Sequence, residues 1–218
     1  MKVIVTGTTG MVGEGVLEEC LRNPLVTEVV SFARKPFGKS HPKLKEVIHP
    51  DFFDIRPVAA QLNGYDACFF CLGVTSMGKN EADYTRATYT LTMHVAEVLS
   101  GQNPGMTFCY VSGSGTDSSE KGRLMWARVK GRTENDLMKL PFKQVFAFRP
   151  GFLRADEGAR YVLKGYKYID WIYPIGRKLF KNGFCTLAEM GKAMIEVTAK
   201  GYFKKTIEVK DIIALAKG

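Results

Sequence analysis

Ten residues, TGTTGMVGEG at positions 6–15, constrain this chain more than any other stretch. They follow the β-branched run KVIV directly and lead into GEGVLEECLRN, whose apolar residues recur at helical spacing. Gly7, Gly10 and Gly13 thus form G-x-x-G-x-x-G between a strand and a helix, the setting that gives a glycine pattern its meaning. Gly7 allows a tight turn, Gly10 lets the backbone approach a pyrophosphate, and Gly13 permits close packing of helix on strand. The first-turn amides and the positive end of the helix dipole would face the anion. Gly7, Thr9, Gly10, Met11, Val12 and Gly13 are therefore expected at a dinucleotide; glycines serving only a strand-to-helix turn are the alternative.

The pattern continues past this loop. EVVSFAR, KEVIHP, DACFFCLG, TFCYVSGSG and QVFAFRPG read as further strands, with helices across EADYTRATYTLTMHVAEVLS and MWARVKGRTENDLMKL. Strands alternating with helices predict an α/β fold, a doubly wound, mostly parallel sheet of the Rossmann type. After Arg149 the rhythm loosens into an aromatic, basic stretch, then a helix at TLAEMGKAMIEVTAKG and a short strand and closing helix in KKTIEVKDIIALAKG. With 218 residues, one domain spanning 1–218 is expected, with 1–155 as nucleotide-binding core and 156–218 as a small C-terminal cap or substrate region plus that closing strand and helix.

Charge is distributed unevenly. Residues 1–120 carry 10 Lys+Arg against 13 Asp+Glu, and residues 121–218 carry 21 against 9. A basic C-terminal part would attract an acidic ligand, a phosphate-bearing cofactor, nucleic acid or an anionic surface, or simply be a solvated face. Five cysteines, odd in number and mostly in apolar runs, predict buried free thiols; Cys68 and Cys71, three apart on a strand, would point to opposite faces. No run of about 18 apolar residues and no charged-then-apolar leader is present, so a cytoplasmic location is expected. His41, His49 and His94 are scattered, with no arrangement that supports a hydrolase or a metal site.

The glycine loop, CLGVT after the fourth strand, YVSGSG after the fifth, Lys130 on the next helix and RPG after the sixth together resemble the short-chain dehydrogenase/reductase superfamily in its extended and atypical branches. Within it the sequence is most similar to small NAD(P)H-binding proteins of the NmrA-like and Tat-interacting-protein groups and to epimerase-like proteins. The likeness covers residues 1–155 well and the tail loosely. It implies nucleotide contacts at Leu72, Gly73 and Pro150, and a hold on the adenine at Asp51 and Phe52, where a surface turn is the alternative. At the end of the second strand, where an acidic residue would bind the ribose of NAD, the chain has Arg34 and Lys35, which favours NADP and its 2′-phosphate over NAD, with an ordinary solvated charge at Arg34 as the alternative.

The resemblance also implies two catalytic positions. Ser112, with Ser114 as a rival, matches the serine that binds the substrate oxygen, and both serines could equally cap a turn. Lys130 matches the lysine that holds the nicotinamide ribose, with a surface lysine on a basic helix as the alternative. The tyrosine expected one turn before it is Trp126, and an indole N–H is not a general acid. Tyr161, Tyr166, Tyr168 and Tyr173 cluster in the expected cap, as packing groups or as a proton source. The leading expectation is an NADP(H)-binding reductase or epimerase acting on a small carbonyl or a sugar nucleotide. The alternative is an NADP(H)-sensing module that binds a partner protein without turnover. A homodimer is a further expectation, nucleic acid is not expected, and membrane contact through YKYIDWIYPIGRKLF ranks last, because Pro174 and Gly176 break the helix there.

Overall fold

A strand buried on both faces needs an unbroken apolar run, and ACFF supplies one: all four of its residues are buried in the middle of the sheet. The computed structural model describes residues 1–155, 158–161, 173, 176 and 183–218. Its main sheet has seven strands, β1 (Lys2–Thr6), β2 (Glu28–Ala33), β3 (Leu44–Ile48), β4 (Ala67–Phe70), β5 (Thr107–Val111), β6 (Gln144–Arg149) and β9 (Thr206–Glu208). They lie in the order β3-β2-β1-β4-β5-β6-β9, and every pairing is parallel. The α/β doubly wound reading therefore holds. A second sheet of two parallel strands, β7 (Phe152–Arg154) and β8 (Phe184–Thr186), has no counterpart in the sequence reading.

Alternation along the strands divides the core into two layers. Val3, Val5, Phe69, Cys109, Phe146 and Phe148 face one side, where they meet α1 (Met11–Arg22), α5 (Leu187–Lys200) and α6 (Val209–Leu215). Ile4, Cys68, Phe70, Phe108, Tyr110 and Val145 face the other. That layer receives the helix formed by α2 (Glu81–Thr85), a π-turn (Arg86–Thr90) and α3 (Leu91–Gln102), together with α4 (Met125–Leu137). Cys68 and Cys71 consequently pack into different layers, as their spacing implies, and all five cysteines are free thiols.

The helix, short strand and closing helix expected in the tail are present, and they join the main sheet and its first layer. Residues 184–215 supply β9 and two helices, and Leu187, Met194, Ile207 and Ile212 are fully or almost fully buried in the first layer. α1 and α5 cross closely because glycines face the contact. A Cβ on Gly15 would lie 2.5 Å from Leu187 Cβ, and one on Gly191 would lie 2.6 Å from Glu19 Cβ. Tyr173 is buried against Phe152 and Phe184 as a packing group, and Tyr161 is half-buried beside the first layer. Tyr166, Tyr168 and most of YKYIDWIYPIGRKLF lie outside the described residues.

The three loop glycines are not equivalent. Gly7 has φ +69°, and a Cβ there would lie 2.8 Å from the Cys71 carbonyl oxygen; a Cβ on Gly13 would lie 2.2 Å from the Gly7 carbonyl oxygen. Gly10 has an extended backbone (φ −127°, ψ 161°), and a Cβ would meet nothing closer than 3.4 Å. Gly13→Ala is therefore expected to destabilise the protein by about 1–3 kcal/mol or more. Gly10→Val should cost less than about 1 kcal/mol, the scale of a change at a helix cap. Urea unfolding of both variants measures the contrast, and equal losses would contradict this account of the loop.

Candidate functional site

At the point where the strand order reverses, the loops after β1 and β4 part and leave a crevice at the carboxyl ends of the strands. The loop after β1 is fixed from both sides. Gly10 N–H donates to Gly7 O at 2.9 Å, and Thr8 Oγ1 and Ser31 Oγ share a buried hydrogen bond of 2.7 Å that ties it to β2. Thr6 Oγ1 accepts from Cys71 N–H at 3.1 Å and ties it to β4. Gly10 is the N-cap of α1, and no side chain caps this end among the described residues. The amides of Met11, Val12 and Gly13 precede the first intrahelical bond, Glu14 N–H to Gly10 O, and so point their donors out of the helix end.

The crevice opens into a cleft of about 610 Å³ lined by Gly10, Met11 and Val12 from this loop, Cys71, Leu72 and Gly73 after β4, Val111 through Ser114 after β5, and Pro150, Gly151 and Leu153 after β6. Trp126 and Lys130 complete the lining from α4. The loops after β5 and β6 are joined by Ser112 N–H to Phe148 O and Ser114 N–H to Pro150 O, both 2.8 Å. α4 is set by a close approach, since a Cβ on Gly131 would fall 1.8 Å from Asp117 O. Arg128 adds a 2.8 Å ion pair to Glu81 at the start of α2.

Lys130 and Ser112 meet in this cleft. Lys130 Nζ donates to the main-chain carbonyl of Ser112. Burial pushes the Lys130 ammonium down to about 8, against the pull of Glu134 one turn on. Glu134 is itself buried in an ion pair with Arg149. Ser112 is buried, and its hydroxyl donates to Phe148 O at 3.1 Å, a long bond for a hydroxyl. Ser114 is exposed at the cleft edge. Trp126 stands one turn before Lys130, its ring edge against Gly115, where an added Cβ would be 3.4 Å away.

The remaining expected residues lie outside the cleft lining. Arg34 and Lys35 are exposed just past β2, and among the described residues neither makes an ion pair. The backbone beyond them is held by Phe37 N–H, which donates to Glu46 Oε1 at 2.6 Å. Thr9 is exposed on the glycine loop. Asp51 is exposed and accepts from Phe53 N–H at 2.8 Å. The Phe52 ring stacks on Phe32 with centroids 4.3 Å apart in the core, so its side chain is withdrawn from any adenine and only its backbone is available.

One group was not singled out from the sequence. Glu14, in the first turn of α1, is buried and accepts from Arg160 N–H at 2.9 Å and Tyr161 N–H at 2.8 Å. The Arg160 guanidinium lies 4.2 Å from the centroid of the Phe37 ring. From sequence alone Glu14 reads as an acid placed to suit a helix dipole, and nothing local signals a partner so distant along the chain.

Residues 3–122, more than half of the chain, match the sequence profile of the NAD dependent epimerase/dehydratase family. Over the whole chain and 98% of its own length, "Protein FMP52, mitochondrial" of Eremothecium gossypii is 23% identical. The Emericella nidulans protein of that name is 27% identical over 69% of this chain and 66% of its own. Among solved structures, a UDP-N-acetylglucosamine 4-epimerase from Methanobrevibacter ruminantium superposes with a TM-score of 0.67 at 17% identity, over 94% of this chain and 75% of that one. DesIV, a dTDP-glucose 4,6-dehydratase from Streptomyces venezuelae solved with NAD bound, gives 0.67 at 14%, over 99% and 80%. At these identities the two structures show the fold. The expectation of a cytoplasmic location is corrected, because the FMP52 relatives are named mitochondrial proteins. The matched profile, the all-parallel sheet and the glycine loop at its switch point agree: the chain belongs to the NAD-dependent epimerase/dehydratase family.

Proposed function

We propose that the cleft binds NADP(H) and that the protein is a reductase of small, uncharged carbonyl compounds. The observation that carries this reading is Gly10. Packing and backbone conformation demand glycine at positions 7 and 13 but not at 10, where a side chain would cause no clash and would instead occupy the cleft. A glycine that the fold does not require keeps the cleft open beside uncapped helix amides, and such a cradle fits a pyrophosphate. In this reading the amides of Met11, Val12 and Gly13 hold the pyrophosphate, Leu72, Gly73 and Pro150 line the nicotinamide half, and Lys130 anchors the ribose. Arg34, with Lys35 beside it, pairs with the 2′-phosphate, and Asp51 with the Phe52 backbone holds the adenine. The bound nicotinamide supplies a hydride. Ser112 orients the substrate oxygen by turning its hydroxyl away from the long bond to Phe148 O.

The lining favours a small carbonyl over a sugar nucleotide. Among the described lining residues Lys130 is the one charged side chain, and Met11, Val12, Leu72, Val111, Trp126 and Leu153 supply apolar surface. A second diphosphate would find little cationic support there. A second reading is favoured by Trp126: with indole in the tyrosine's place, the protein would bind NADP(H) without turnover and report its presence to a partner protein.

Calorimetry with NADPH and NADH tests the cofactor. NADPH is expected to bind more tightly, and Arg34→Ala should remove roughly 1.5–3 kcal/mol of that preference, about ten- to a hundredfold in Kd. Equal affinities in the parent protein would remove Arg34 from the site. Gly10→Val should lose both nucleotides while unfolding normally, and Lys130→Met should weaken both through the lost ribose contact. Steady-state assays of the parent protein with NADPH and a series of short aldehydes and ketones decide between the two readings. Tight NADPH binding with no turnover of any of them would favour the partner-binding module.

A further inference from the structure

Reduction of a carbonyl consumes a proton as well as a hydride, and Trp126 has no proton to give in the accessible pH range. Among the described residues that line the cleft, only Cys71 and Lys130 carry ionisable side chains. Burial drives the Cys71 thiol far above the physiological range, which leaves it a poor acid. Resting on the carbonyl-reductase reading, we propose that Lys130 is itself the general acid: its ammonium, anchored through one N–H on the Ser112 carbonyl, gives a proton to the substrate oxygen that the Ser112 hydroxyl orients. A single residue would then align both donor and acceptor, by its main chain and its side chain respectively.

The geometry suits this role. An ammonium has three donors, and among the described residues Lys130 Nζ has one hydrogen-bond acceptor, the Ser112 carbonyl, so two N–H groups remain for ligands. Among the described residues the Lys130 ammonium makes no ion pair, and its hydrogen bond is to a neutral carbonyl. On its own helix Glu134 is taken by Arg149 from β6; the loop after β4 contributes Cys71, the loop after β5 the Ser112 carbonyl, and Tyr110 of β5 faces Thr133 and Glu134 of the same helix. Burial therefore dominates, and an acid near 8 is well matched to proton transfer close to neutrality. With NADPH bound, its nicotinamide would supply the hydride to the carbonyl carbon and be oxidised to NADP+, while the C=O π-pair takes the Lys130 proton to form O–H and leaves Lys130 as a neutral amine. Solvent at the open side of the cleft reprotonates it. Because reduction needs the ammonium, its rate should fall as pH rises through about 8, whereas alcohol oxidation, which needs the free amine, should rise over the same range.

Two measurements test the proposal. Reductive 13C-methylation followed by NMR, with the Lys130 signal identified by its loss in Lys130→Arg, should show Lys130 titrating near pH 8 and apart from the surface lysines. Titration above pH 10 would overturn the assignment. Lys130→Arg retains a cation and hydrogen-bond donors, but a guanidinium does not release its proton in this range. Compared at saturating NADPH, with the affinity of the variant measured by calorimetry, it should lose carbonyl reduction by at least a hundredfold, and the fall in rate near pH 8 should vanish from what activity remains. Parental turnover in Lys130→Arg would refute the donor role while leaving the reductase reading intact. Absence of turnover in the parent protein would refute both.

Discussion

Between the α-carbon of Gly13 and the carbonyl of Gly7 there is no space for a methyl group, and the rest of the architecture follows from that closeness. It draws the start of α1 down onto the end of β1 and aims the first-turn amides along the crevice between β1 and β4. The same helix then presents Val16, Leu17 and Cys20 to the first core layer, where α5 crosses it at Gly15 and Gly191. One contact too short for any side chain thus sets both the mouth of the cleft and the packing of the sheet's first face.

The second face prepares the other wall. α4 sits close to the loop after β5 because Gly131 admits the Asp117 carbonyl, and Lys130, next to Gly131, is carried into the cleft as a result. The Glu134–Arg149 pair on the same helix has a dual effect. It satisfies a buried carboxylate, and it withholds that carboxylate from Lys130, whose ammonium then experiences mainly the cost of its own burial. The cleft has an apolar lining with a single charge among the described residues.

Much of this was legible in the sequence, for identifiable reasons. The strands β1 to β6 and the loop glycines depend on local patterns, short apolar runs, turn residues and helical spacing, whereas Ser112 and Lys130 were marked out by the resemblance to the short-chain superfamily. What was not legible depends on partners remote in sequence. Phe52 reads like an exposed aromatic beside Asp51 until Phe32 is placed against it. β7 and β8 are three residues each and have meaning only as a pair. The tail reads as a cap because its strand is short, yet β9 gains its place by joining β6. Glu14, Arg160 and Phe37 form a cluster that no local spacing announces.

That cluster has a consequence for the order in which the molecule can assemble. Glu14 and Tyr161 are 147 residues apart, and α5, which covers the apolar face of α1, is later still in the chain. During vectorial synthesis the glycine loop and its helix therefore emerge well before the elements that seal them. Closing such distant contacts is slow, since the loop entropy precedes any reward, and exposed apolar surface accompanies the delay. The half of the sheet that is made first would be the portion most in need of a chaperone until α5 and β9 arrive.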